Sequence, residues 1–97
     1  MTPQPELPNR EPGPELVGAA TAGTAFLDAP GIESEVVFES VERVLEGMPD
    51  GAILTVYADD PSVRIEAEDW CAHRHLELLA VITHEHHGTT LAIKRRG

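Results

Sequence analysis

Cys71, Ser34 and the five histidines are the side chains of this sequence best suited to nucleophilic or metal chemistry. A cysteine reacts as its thiolate, which forms readily at a helix N-terminus or beside a cation. Cys71 falls late in a predicted helix, where the dipole disfavours a thiolate. Its spacing from Ala67 and Trp70 places it on the apolar face, so a buried, inert thiol is expected. A relocated reactive thiol is the alternative. Ser34 as a nucleophile would need a base within hydrogen-bond reach and a third group to orient that base. No Gly-x-Ser-x-Gly elbow surrounds it and no histidine lies near it in sequence, so a helix cap is expected there.

The histidines form two groups, His73 with His75, and His84 with His86 and His87. His84-Glu85-His86-His87-Gly88 is not the zinc-protease pattern His-Glu-x-x-His, because position 88 is glycine and the segment reads as strand and turn. His84 and His86, two apart on a strand, would share one side and offer a weak metal chelate. A strand separates the two groups by about nine residues, roughly 25 to 30 Å. With that incomplete ligand set, a solvated helix end and a polar hairpin tip are the expected roles.

The elements that must position these residues follow from periodicity. Ala25 to Asp28 reads as a short strand closed by Pro30-Gly31. Val37, Val41, Val44 and Leu45 recur at helical spacing, with Ser34 as N-cap and Gly47 as the stop. Ala52 to Ala58 is apolar and β-rich, as a central strand requires. Asp60-Pro61 opens a second helix, with Asp as cap and Pro at the first position. Val63, Ala67, Trp70, Cys71 and Arg74 line one face of it. Trp70 as a core ring would be worth about 3 to 5 kcal/mol. Leu76 to Thr83 and Thr89 to Lys94 complete a β-α-β-α-β-β string around the His86-His87-Gly88 turn. The expected class is α+β, a two-layer sandwich of a four-stranded sheet with two helices on one face.

Composition bounds what such a domain does. The 97 residues carry 17 acidic and 7 basic side chains, a formal net charge of -10. Direct nucleic-acid binding and docking on anionic membranes are not expected of that balance. One cysteine cannot build an intrachain disulfide framework. The longest apolar run, Leu78 to Ile82, is far short of the roughly 20 residues of a membrane span. Five prolines lie between Pro3 and Pro14, so residues 1–24 read as a disordered Pro-rich tail and 25–97 as the domain. Ala20-Thr21-Ala22 looks like a signal-peptidase site but lacks a basic start and an apolar stretch before it. A cytoplasmic protein is expected.

The string also resembles a known family, the TusA/SirA-like sulfur carriers. Leu27-Asp28, Gly31-Ile32, the turn at Gly51, the strand from Ile53 to Tyr57, Asp60-Pro61, Trp70-Cys71, Glu77-Leu78-Leu79 and a hairpin from Gly88 to Arg96 match that family's pattern in order and spacing. The resemblance covers about residues 26 to 96. It implies a mixed sheet of strand order 1-2-4-3, no cofactor, and partners such as a cysteine desulfurase or a sulfur-acceptor protein. It also implies a partner surface around Gly31, Ser34, Glu35 and Val37. The departure is central. Where the family has Cys-Pro-x-Pro, this chain has Ser34-Glu35-Val36-Val37, and a serine oxygen cannot hold a persulfide. The resemblance therefore implies a carrier scaffold that binds without carrying sulfur. The alternatives are a carrier using Cys71 and a metal-binding module using the His84, His86 and His87 tip.

Overall fold

The computed structural model describes residues 15–17, 23–85 and 88–96. Its elements are β1 (Glu15–Val17), β2 (Thr24–Ala29), α1 (Ser34–Glu46), β3 (Ile53–Ala58), α2 (Pro61–His73), β4 (Glu77–Thr83) and β5 (Thr89–Lys94). Their sheet order is β1-β2-β3-β5-β4. β2 and β3 are parallel, so α1 is a crossover between them, and the remaining pairs are antiparallel. The four expected strands thus stand in the expected mixed order, with two helices on one face.

β1 is the addition. Its three residues pair antiparallel with β2, Leu16 opposite Leu27, within the stretch expected to be a tail. Thr24, the last residue of that stretch, is the first residue of β2. The physical reason is an edge: without β1, one side of β2 would present unpaired N–H and C=O groups. The rest of the expected tail, residues 1–14 and 18–22, lies outside the described residues, as do His86 and His87.

The core follows the alternation of the strands. Ala25, Leu27 and Ala29 of β2, Leu54, Val56 and Ala58 of β3, and Leu91 and Ile93 of β5 are buried toward the helices. α1 presents Val37, Phe38, Val41 and Leu45, and α2 presents Val63, Ala67 and Cys71. That is a period of three to four residues against a period of two, the geometry of a helix layer on a sheet. Arg95 closes α1 from the far end of the chain. Its Nη1 donates to the carbonyls of Leu45 at 2.9 Å and Glu46 at 3.1 Å, and also to Met48. The Leu45 and Glu46 carbonyls are ones that a helix end leaves without intrahelical partners, and Met48 follows the helix.

Trp70 differs from the expected core ring, being half-buried. It stacks on Phe38, with ring centroids 4.8 Å apart, and the Arg74 guanidinium lies 4.5 Å from the Trp70 ring centroid. Arg74 in turn meets Glu42 at 3.4 Å. Trp70→Ala should therefore cost about 2 to 3 kcal/mol, below the range of a fully buried ring. Urea unfolding of the variant measures it; a loss below about 1 kcal/mol would show that the Phe38 stack contributes little.

Candidate functional site

The parallel strands β2 and β3 end side by side, and each hands the chain to a helix. Their two connections meet at this rim. Gly31 takes a positive φ of 74°, which a residue without a Cβ adopts without strain. Its N–H donates to both carboxylate oxygens of Asp59, at 2.8 and 3.0 Å. Ile32 is buried and anchors the loop beneath. The chain then enters α1.

The N-cap of α1 is Glu33, whose side chain makes no capping bond. Ser34 is the first helical residue, which corrects its expected role as cap. The reason lies in α2. Asp60, the N-cap of α2, accepts from the Ser62 N–H at 2.9 Å with one oxygen and from the Ser34 N–H at 2.7 Å with the other. One carboxylate therefore serves the N-termini of both helices, and a side-chain cap from residue 34 is not needed. Asp60 sits where both dipoles favour negative charge.

Those two bonds shift Asp60's titration. The Ser62 amide first, and the Ser34 amide second, hold its carboxyl below the ordinary value of 3.8. Such a group stabilises the fold fully above its unfolded value, and the stabilisation is lost as pH falls through the lower folded value. Melting temperature followed from about pH 5 to about pH 2.5 should therefore drop more steeply for the wild type than for Asp60→Asn. Equal slopes would mean that the double cap contributes nothing to acid stability.

The predicted site residues divide at this rim. Gly31 and Glu35 are exposed and Ser34 is half-buried. Val37 is not part of any surface: it is 0% exposed, packed in the core with Val41 and Leu45. Its helical spacing with those residues is the cause, and its assignment to a partner surface is corrected. The exposed apolar residue of this turn is Val36, at 37%. From Glu35 a groove of about 320 Å³ continues between the helices, lined by Phe38 and Trp70 and by Glu39, Glu42 and Glu66, with Arg74, the partner of Glu42, as its one cation.

Cys71 lies at the other end of α2. It is 2% exposed, although a cleft reaches it past His75 and Leu76, and burial pushes its thiol pKa up. An elevated pKa in an apolar setting leaves little thiolate at neutral pH. The histidines do not assemble. The His73 ring bonds the Asp69 carbonyl at 2.8 Å, and His84 Nε2 meets Thr90 Oγ1 at 2.7 Å. His84 follows the end of β4 rather than lying within it, so the strand pairing expected with His86 does not begin on a strand. Among the described residues no group of three His, Cys, Asp or Glu side chains could hold a metal ion.

What sequence reasoning missed here is the pair Asp59 and Asp60 as ties to α1. Asp60-Pro61 is visible as a helix start. The bonds to Gly31 and Ser34 span 28 and 26 residues, and they exist only because β2 and β3 end side by side. No protein-family model matches the chain, and no curated protein matches it.

Proposed function

We propose that this chain is a non-catalytic binding module on the scaffold of a sulfur carrier, docking a desulfurase or a sulfur-acceptor protein without itself holding sulfur. The observation that carries the reading is Ser34. It occupies the first turn of α1, the place the resemblance gives to the carrier cysteine, and its amide is already held by Asp60. The strand order and the parallel β2–β3 pair agree with that scaffold. The alternative thiol, Cys71, is buried and its pKa is raised, which weighs against a relocated carrier site.

The docking face is the rim at Gly31, Ser34, Glu35 and Val36, continuing into the glutamate-lined groove. Its charge calls for a partner with a basic surface, and its exposed Val36 for an apolar contact at the centre. The module carries one buried thiol and no helix, among the described residues, that is long and apolar enough to cross a membrane. A cytoplasmic role suits this reading.

Incubation with a cysteine desulfurase and cysteine tests it, with intact-mass measurement and a binding assay run on the same mixture. The expected result is binding without added mass, and binding weakened at least about tenfold by Val36→Glu. One added sulfur atom on Cys71 would convert the protein into a carrier. Absence of binding to desulfurases and acceptors alike would remove it from sulfur transfer.

A further inference from the structure

The two edges of the sheet are treated differently. On one side β1 pairs with β2. On the other, β4 is the last strand, and among the described residues nothing pairs with its outer edge. Natural edge strands are kept from pairing by lysine, proline, brevity or a bulge. β4 has seven residues, Glu-Leu-Leu-Ala-Val-Ile-Thr, with one charge at its start and no lysine or proline, and its irregularity falls between Leu78 and Ala80, which leaves Ala80 to Thr83 regular. It carries Leu79 at 44%, Val81 at 42% and Ile82 at 53% exposure, half of the large exposed apolar residues among those described.

We infer that β4 pairs antiparallel with β4 of a second copy, joining two sheets across a two-fold axis at Val81. The occupant is chosen by self-complementarity. Within each copy, Val81 stands opposite Leu91 and so lies on the helix side, while Ala80 and Ile82 stand opposite Ala92 and Thr90 on the open side. With Val81 opposite its own equivalent, Ala80 falls opposite Ile82, and both lie on the open side. The irregularity between Leu78 and Ala80 makes Leu79 an extra residue. Absorbing it brings Leu78 opposite Thr83, both on the helix side, and Glu77 opposite His84. Every pair then matches in face, the apolar residues meet at the centre, and a carboxylate meets an imidazole at each end. Any two-fold through a residue of β4 matches faces, because side chains alternate along a strand; moving it from Val81 to Ile82 would set Val81 opposite Thr83 and take Glu77 away from His84, so Val81 is the centre that joins apolar to apolar and acid to imidazole. A single edge strand would then supply both backbone hydrogen bonds and apolar burial, the two components of strand addition.

Each copy brings a formal charge of -10, so association is opposed by repulsion that salt screens. Sedimentation of the full chain from micromolar to millimolar concentration, at low and high salt, should show a monomer–dimer equilibrium that shifts toward dimer with added salt. Val81→Lys should weaken it at least about tenfold while leaving the melting temperature near that of the wild type. Val81→Cys should form a covalent dimer under mild oxidant, faster than Ile82→Cys, since only residue 81 meets itself. This second variant decides the matter even if Val81→Lys fails to fold. A wild type that stays monomeric at millimolar concentration would overturn the inference. So would open-ended aggregation, or equal cross-linking at positions 81 and 82.

Discussion

Gly88→Ala should cost this domain about 3 kcal/mol or more, a large part of the margin that holds a domain of this size folded. Gly88 has a φ of 54° at the start of the β5 hairpin arm, and its carbonyl accepts from the His84 N–H at 3.0 Å. A Cβ placed there would stand 2.5 Å from the Ala58 carbonyl oxygen and 2.9 Å from the Tyr57 hydroxyl. The first of these is backbone at the end of the central strand and cannot swing away. Positive φ adds strain for any residue with a Cβ. Tyr57 alone could yield by rotation, so Gly88→Ala combined with Tyr57→Ala separates the two contacts. If the double variant recovers most of the loss in urea unfolding, the ring was the obstacle; the expected result is little recovery, with the Ala58 carbonyl responsible.

Ser34→Cys should give a thiol of nearly ordinary pKa, in spite of its place at a helix N-terminus. The amide that would stabilise its thiolate is bonded to the Asp60 carboxylate. Glu33 and Glu35 flank the position in sequence and are exposed. A thiolate there would add a negative charge to a cluster that already satisfies both helix dipoles. Asp60→Asn in the Ser34→Cys background leaves one acceptor oxygen where two served, so one amide is released, and it removes the charge. Alkylation by iodoacetamide at neutral pH should then rise about threefold, combining a larger thiolate fraction with a weaker nucleophile. Glu35→Pro should add to the effect, since proline is tolerated in a first helical turn and a second carboxylate disappears. Val37→Pro is no companion to these changes, because it would remove a side chain from the core. An alkylation rate unchanged by Asp60→Asn would show that the shared carboxylate does not govern chemistry at position 34.

Much of this architecture is legible in the sequence because each element signals itself locally. Thr89 to Lys94 alternates, Asp60-Pro61 announces a helix, and Val37, Val41 and Leu45 keep helical spacing, so those elements stand where periodicity places them. The errors fall where a residue's role depends on a neighbour distant in sequence. Ser34 has the composition of a cap, and Asp60 takes the cap's work from the other helix. Val37 falls in the stretch that the resemblance gives to a partner surface, although its own spacing with Val41 places it inside. β1 follows five closely spaced prolines, and three residues are too few for alternation to show. Arg95 is legible only as a basic residue near the end of a strand; its bonds to Leu45 and Glu46 reach across 50 and 49 positions.

β3 and β4 do not touch through hydrogen bonds; β5, the last strand in sequence, lies between them and pairs with both. During synthesis, everything from β2 to β4 leaves the ribosome before the strand that joins β4 to the sheet. Until then β4 has no partner, α1 lacks the Arg95 guanidinium at its C-terminal end, and Leu91 and Ile93 are missing from the core. Pairings of this kind link distant parts of the chain and fold slowly compared with local ones. The domain thus assembles only once its final strand is available, and a chain truncated before Thr89 and released would present β4 unpaired along both edges to chaperones and proteases.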